Sequence, residues 1–173
     1  MTDNPITSAN FLSPVGFKFS LARAPNLAFH VQSANIPGVQ LSTVLMPTPF
    51  VPIPREGKLE YEPLSVTFRV SENLTDYLEI YNWMTSLGAP RDFDQYKSLA
   101  NTTRNSPMAL ETLLSDVSLT IMTSNYTPNI SVKYFDAFPI SISDLNFLTT
   151  ETDANYIEAT ANFRYLRHEI TVL

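Results

Sequence analysis

The 173-residue sequence contains no cysteine and is short of basic residues. The absence of cysteine excludes disulfides, thiolate chemistry and cysteine-ligated zinc. The 17 acidic side chains outnumber the 11 lysines and arginines, which gives a net charge of -6. Because proteins bind phosphate groups with lysine and arginine, this composition argues against a basic nucleic-acid-binding face.

Long apolar runs and glycine-rich loops are missing as well. The first residues lack the basic and apolar regions of a signal peptide, and no run approaches the ~18 apolar residues of a membrane span. The chain has only four glycines, which are isolated and typical of turns and helix ends rather than of a phosphate-binding loop. We therefore predict one globular domain that does not insert into a membrane.

Groups that could support catalysis or metal binding are few and scattered. His30 and His168 lie far apart in the sequence, and neither is in a sequence context that offers a nucleophile or a metal pair. Asp92 and Asp94 are close in sequence, but this does not establish the ~5 to 9 Å separation across a cleft that glycoside hydrolysis needs. We predict no enzymatic activity, no catalytic or metal-binding residue and no cofactor.

Most of the chain alternates apolar and polar residues with the period of a β-strand. This alternation is clear in residues 64–70, 117–121 and 157–165. Residues 17–21 and 27–31 alternate in the same way on either side of the turn-like RAPN, which predicts a hairpin. The pattern favours a mainly β fold, an antiparallel sandwich or barrel of two packed sheets.

The segment SENLTDYLEIYNWMTSLG, residues 71–88, has helical spacing instead. Its apolar residues recur every three or four positions: Leu74, Tyr77, Leu78, Tyr81, Met84 and Leu87. Ser71 or Asn73 can cap its start, and Gly88 followed by Pro90 ends it. We predict one helix of about four turns beside the sheet.

The apolar stripe of this helix is expected to pack on the sheet. That orientation leaves Asp76 and Glu79 on the outside. Trp83 is expected in the core or at an interface with a partner.

Two long segments show no periodicity. Residues 44–58 are rich in proline and predict an extended arm with polyproline II character. Residues 89–109 form a variable polar loop. Segments of this length are either surface loops or functional, and the arm could become ordered against a neighbouring copy.

The stretch KYFDAFPISISDL, residues 133–145, places a proline between two alternating segments. Proline cannot donate a hydrogen bond to a β-ladder, so it is confined to edges, bulges and strand ends. We predict that one strand ends and a second begins at a corner formed by Phe138 and Pro139.

The order of these features resembles the tail tube proteins of contractile-tailed bacteriophages, a family that includes the inner tubes of related injection machines. The resemblance rests on SANIPG (33–38), LSVTFRV (64–70) leading into the helix with its IYNWM, and AFPISISDLNF (137–147) before the final strand. It spans about Phe11 to Ile170. The sequence departs from the family at Phe138, where tryptophan is frequent, and in the proline density of the arm.

The resemblance implies two packed antiparallel sheets, hexameric rings, and a tube of stacked rings inside a contractile sheath. The implied partners are further copies of the chain, the tail sheath protein, baseplate and neck proteins, and genomic DNA that passes through without specific binding. The protein would be made in the host bacterial cytoplasm and end in the virion tail. The candidate subunit-interface residues are Ile36, Pro37, Gly38, Pro47, Phe50, Pro52, Phe138 and Pro139, and the candidate sheath-facing residues are Asp76 and Glu79.

Several alternatives stay open from the sequence. The chain could form a specialised ring at a tube end, either a baseplate initiator or a tail terminator. It could instead be a carbohydrate-binding or adhesion β-sandwich that uses Tyr96 and Tyr126 as a platform. The acidic charge could line a channel that repels DNA, or it could serve solubility alone.

Overall fold

The computed structural model describes residues 12, 14, 16–88, 94, 113–149 and 155–173. The described elements are β1 (Phe17–Leu21), α1 (Pro25–Phe29), β2 (Val31–Ala34), β3 (Val39–Met46), β4 (Ile53–Tyr61), β5 (Leu64–Arg69), α2 (Thr75–Gly88), β6 (Ser115–Met122), β7 (Pro128–Ile142), β8 (Glu158–Arg164) and β9 (Arg167–Val172). All strand pairs among them are antiparallel, which confirms the predicted mainly β fold.

Seven strands are joined through the long strand β7. The first half of β7 pairs with β6 and β9, which gives a four-stranded group in the order β1-β6-β7-β9, called sheet A below. The second half pairs with β8, which gives the order β7-β8-β5-β2, called sheet B. Strands β3 and β4 form a separate two-stranded hairpin.

Strand β7 crosses from sheet A to sheet B without a break. Phe135 is still opposite Arg167 of β9, whereas Phe138 is already opposite Arg164 of β8. Between them Asp136 has a φ of 55°, in the left-handed region that redirects the chain. The corner is therefore two residues earlier than predicted.

The prediction that the strand ends at Pro139 is wrong. Pro139 is buried inside β7, opposite Phe163, and the register shifts immediately after it, before Ser141. At such an irregularity the ladder does not need an N–H donor, so a proline is tolerated.

The two sheets share one apolar core. Alternate residues of β1, β6 and β7 face residues of β5 and β8, and the largest fully buried side chains include Tyr134, Phe68 and Phe163. Helix α2 closes this core with Ile80 and Trp83.

The predicted hairpin of residues 17–21 and 27–31 is wrong. Residues Pro25–Phe29 form helix α1, while β1 pairs with β6 and β2 pairs with β5. Pro25 suits a helix start because its missing N–H is not needed there. Leu27 is fully buried and Phe29 is 86% exposed, so the two residues do not share a face as they would in a strand.

Helix α2 confirms the predicted helix, which ends at Gly88, and part of its predicted apolar stripe, because Tyr77, Met84 and Leu87 pack against the core. The fully buried residues are Asp76, Ile80 and Trp83, whereas Leu78 is 44% exposed and Tyr81 is 49% exposed. The expected outward position of Asp76 is therefore wrong. The helix is rotated because α1 packs across it, a contact that helical spacing alone does not reveal.

The proline-rich arm is a β-hairpin rather than a polyproline segment. Residues of β3 pair with β4 over its whole length, and Pro54 lies within β4 opposite Leu45. A two-stranded sheet leaves the outer edge of each strand unpaired, so proline can occupy that edge. The predicted polar loop 89–109 lies outside the described residues apart from Asp94.

Candidate assembly surfaces

The β3–β4 hairpin exposes an apolar face. Every residue of β3 is exposed, and three cross-strand pairs place apolar side chains on one side: Val39 with Tyr61, Leu41 with Leu59, and Leu45 with Pro54. A two-stranded hairpin is at best marginally stable in water on its own. Beyond its base, the hairpin therefore has no packing partner among the described residues.

A bulge bends the hairpin near its middle. The Ser42 hydroxyl accepts a hydrogen bond from Lys58 N (2.7 Å) and donates one to Lys58 O (3.0 Å). A Cβ at position 57 would lie 2.8 Å from the Ser42 carbonyl oxygen, so only Gly57 fits there without a shift. Such a bulge increases the local twist and sets the direction of the distal half.

The base of the hairpin is attached to the domain. The Tyr61 ring lies 5.8 Å from the Tyr165 ring and 5.2 Å from the His168 ring. Arg164 Nη1 donates a hydrogen bond to Tyr61 O (2.9 Å). The distal half thus projects from a fixed base.

Several predicted interface residues lie on this hairpin or before it. Phe50 is 95% exposed at the tip, and Pro47 and Pro52 are exposed beside it. Ile36 and Gly38 are exposed at the base. They remain candidates for contact with another subunit.

Other predicted interface residues belong to the interior. Pro37 and Pro139 are buried within the chain, and Phe138 is half-buried against the core. Of the predicted sheath-facing residues, Glu79 is half-buried and bound by Asn26 Nδ2 (2.7 Å) and Leu27 N (3.3 Å).

The free edge of β9 carries apolar residues that nothing in the described chain covers. His168, Ile170 and Val172 continue the inward rows of sheet A, because each is opposite an inward residue of β7. Ile170 is 57% exposed and Val172 is 75% exposed. Sequence reasoning missed this edge, although the alternation in HEITV could have indicated it.

The opposite edge of sheet A carries a groove of about 510 Å³. It runs along β1 and is walled by α1, with Phe17, Leu21, Ala28, Phe29 and Val31 among its lining residues. Strand β1 pairs only with β6 among the described strands. Sheet A therefore has an apolar groove at one edge and an apolar ridge at the other.

A buried carboxylate joins α1 to α2. Asp76 is fully buried, its Oδ2 accepts a hydrogen bond from Ser71 N (2.9 Å), and its Oδ1 lies 3.1 Å from His30 Nδ1. Burial acts to raise the pKa of Asp76, but the hydrogen bonds from Ser71 and the contact with His30 outweigh it and hold the pKa below its usual value. This pair is suited to fixing two helices together.

Burial also shifts the pKa values in an aromatic cluster formed by Tyr134, Tyr165 and His168. It raises the pKa of Tyr134 above its usual value, raises the pKa of Tyr165 to about 12 and lowers the pKa of His168. The rings lie 5.0 to 5.7 Å apart. At neutral pH the cluster is uncharged, as suits packing.

Within the described ranges, no group of three or more histidine, aspartate or glutamate side chains is placed to hold a metal ion. No helix in that part of the chain has the length and apolar character needed to cross a membrane.

Three solved structures share this fold. The first is the tube-terminating cap of the anti-feeding prophage, with 14% identity, coverage of 100% of this chain and 99% of that chain, and a TM-score of 0.67. The second is the PVC sheath/tube terminator of an extracellular contractile injection system in the extended state, with 12% identity, coverage of 95% of this chain and 99% of that chain, and a TM-score of 0.64. The third is the PVC sheath-tube complex in the extended state, with 12% identity, coverage of 100% of this chain and 99% of that chain, and a TM-score of 0.59. No curated protein gives a significant sequence match.

The sequence profile of the phage tail tube protein family matches residues 3–171, almost the whole chain. The chain therefore belongs to the phage tail tube protein family.

Proposed function

We propose that copies of this chain close into rings, six per ring as the resemblance implies, and that the rings stack into a tail tube. The observation that carries this proposal is the pair of unsatisfied edges on sheet A. Ile170 and Val172 leave apolar area exposed at β9, and the β1 groove offers apolar area at the other edge. One edge of a copy can therefore be covered by the other edge of the next copy.

Ring closure follows from the type of contact. Pairing of β9 with β1 of the next copy is a head-to-tail contact. Such a contact forms a closed ring when the rotation between neighbouring copies is a whole fraction of a full turn. The pairing also satisfies the backbone N–H and C=O groups of both edges, which would otherwise invite uncontrolled association.

The hairpin supplies the contact between rings. Its base is fixed by Tyr61 and Arg164, while its distal half projects with an exposed apolar face. A projecting element of this kind can reach a subunit of the adjacent ring and bury Leu41, Leu45 and Leu59 there.

The outer surface of the tube would meet the sheath. Helix α2 presents Leu78 and Tyr81 to solvent, and we propose this pair as sheath-facing residues in place of Asp76. Baseplate and neck proteins would contact the end rings, genomic DNA would pass through the channel, and the protein would reside in the virion tail.

The role of end ring remains the second candidate. A main-tube subunit adds rings without limit, whereas a terminator or initiator forms one ring or a short stack. Negative-stain microscopy of the purified chain at high concentration distinguishes long hollow tubes from single rings.

The ring contact is tested by Val172→Asp. Val172 is 75% exposed in the isolated chain, so the variant should fold and melt as wild type does. It should fail to form rings, because an aspartate would be buried unpaired at the interface. The matched control is Leu148→Asp, at a loop residue 66% exposed and away from both edges, which should assemble. Normal rings from Val172→Asp would refute the proposed contact.

The stacking contact is tested by deleting residues 44–56. The domain should keep its circular dichroism spectrum, because this half of the hairpin packs on nothing in the described chain. Tubes should not form. Tubes of normal length from the deletion variant would show that the hairpin does not stack the rings.

A further inference from the structure

The face of sheet A that points away from the core is rich in hydroxyl groups. We call it the channel face, and its strand residues are Lys18, Ser20, Asp116, Ser118, Thr120, Ser131, Lys133, Arg167, Glu169 and Thr171. Phe135 and Asp136 lie on the same face, where they line a pocket with Asp116 and Arg167. Along the strands these residues alternate with residues that point to the core side of sheet A.

The strand register arranges these side chains in two rows across the sheet. The first row contains Lys18, Thr120, Ser131 and Thr171, and the second contains Ser20, Ser118, Lys133 and Glu169. Half-buried and exposed hydroxyls thus surround two lysines.

If the ring forms as proposed, the channel face lines the channel. The other side of sheet A carries sheet B and both described helices. In a closed ring the bulkier side must lie outside, where the circumference is larger. The channel wall is then the hydroxyl-rich face.

The channel face is less acidic than the chain as a whole. The face carries three basic side chains (Lys18, Lys133 and Arg167) and three acidic ones (Asp116, Asp136 and Glu169), so it is neutral overall, whereas the chain has a net charge of -6. Arg167 Nε pairs with Glu169 Oε1 at 3.2 Å, and Asp116 Oδ1 accepts a hydrogen bond from Asp136 N at 3.3 Å. Lys18 and Lys133 are left facing outward. A repelling, acidic wall is therefore not what the described residues form.

We infer that the channel wall holds a nucleic-acid backbone weakly, through Lys18, Lys133 and the neighbouring hydroxyls. Lysine ammonium groups attract phosphates, and serine and threonine hydroxyls donate hydrogen bonds to them. Only two lysines per subunit act, so the contacts are weak, exchange rapidly and are screened by salt. This inference rests on the proposed ring.

The experiment uses tubes assembled from the full chain and a short fluorescent DNA duplex as the probe. Retention of the duplex by pelleted tubes is measured between roughly 50 and 200 mM salt. Wild-type tubes should retain it at low salt and release it at high salt. Lys133→Gln should lower retention roughly threefold or more, since every subunit loses one phosphate contact. Glu169→Gln should raise it.

Arg69→Gln is the matched control, because Arg69 is an exposed residue of β5 in sheet B and its substitution removes one positive charge away from the channel face. Equal retention by Lys133→Gln and Arg69→Gln tubes, or no retention by wild-type tubes, overturns the inference. Retention of an uncharged peptide but not of the duplex would overturn it in favour of a protein cargo. If no tubes form at all in microscopy, the proposed function fails first, so the two failures are distinguishable.

Discussion

At the scale of single residues, Asp76 is where burial and charge are most directly opposed. Its position in an amphipathic segment predicts a solvated carboxylate, yet the side chain is fully buried. The fold tolerates this because Ser71 N donates to one oxygen and His30 lies beside the other. Asp76 therefore acts as a polar contact between His30, at the end of α1, and the start of α2.

We expect Asp76→Ala to lower the free energy of unfolding by about 2–4 kcal/mol, because Ser71 N and His30 lose their buried partner. Urea denaturation of the monomer measures it. Glu72→Ala, one turn away and exposed, is the control and should change stability little. Equal midpoints for the two variants would contradict a structural role for Asp76.

His168 should make stability depend on pH near neutrality. Burial lowers its pKa below the ordinary 6.5, so the unfolded chain binds more protons than the folded one as pH falls. Stability should therefore decrease as pH drops through 6.5, and His168→Gln should reduce this decrease. Urea denaturation of both proteins at several pH values measures the difference, and the contributions of all other groups cancel in the comparison.

Asp76 makes stability depend on pH in a more acidic range than His168 does. Its pKa is held below 3.8, so its contribution is present above 3.8 and is lost as pH falls through the lowered value. For His168, the contradicting outcome is that wild type and His168→Gln show the same pH dependence of stability between neutrality and pH 5. The half-buried histidine would then not contribute to that dependence.

At the scale of elements, the rotation of α2 decides which substitutions unfold the protein. Helical spacing points to Leu78 as a core residue, but it is 44% exposed, while Ile80 is completely buried. Ile80→Asp should cost about 4 kcal/mol or more, since it buries an unpaired charge. Leu78→Asp should leave the domain folded.

Thermal melting of both variants measures this difference. A fold lost in Leu78→Asp and kept in Ile80→Asp would mean that the helix packs through the other face. Tube formation by Leu78→Asp, with weakened sheath attachment, would additionally support the proposed outer position of this side chain.

In the β3–β4 hairpin, the prolines alone do not identify the type of element. Their density between residues 47 and 54 indicates an extended conformation but does not separate a polyproline arm from a β-hairpin. The cross-strand register, with Leu45 opposite Pro54, is a contact between distant residues. Only that pairing defines the apolar face.

At the scale of the whole molecule, assembly should stabilise the fold. Any species that binds only the folded chain raises its apparent stability by mass action. The melting temperature of wild type should therefore rise with protein concentration, and that of Val172→Asp should not. Differential scanning calorimetry over a concentration series measures both. A concentration-independent melting temperature for wild type would contradict self-assembly in solution.

The sequence by itself determined the features that depend on neighbouring residues. Period-two alternation predicted β1, β5, β6 and β8, helical spacing predicted α2, and the order of SANIPG, LSVTFRV and AFPISISDLNF indicated the tail tube family, which the match over residues 3–171 confirms. These signals are local, because side-chain direction within a strand or helix follows from spacing alone.

The tertiary structure alone decided which elements meet. Pairing of β1 with β6, the crossing of β7 at Asp136, and the burial of Asp76 against His30 all join residues far apart in the chain or depend on such contacts. The edges of sheet A at β1 and β9 exist only because β6 and β7 lie between them. Spacing along the chain carries no information on such pairings, because they are selected by the free energy of packing the whole core.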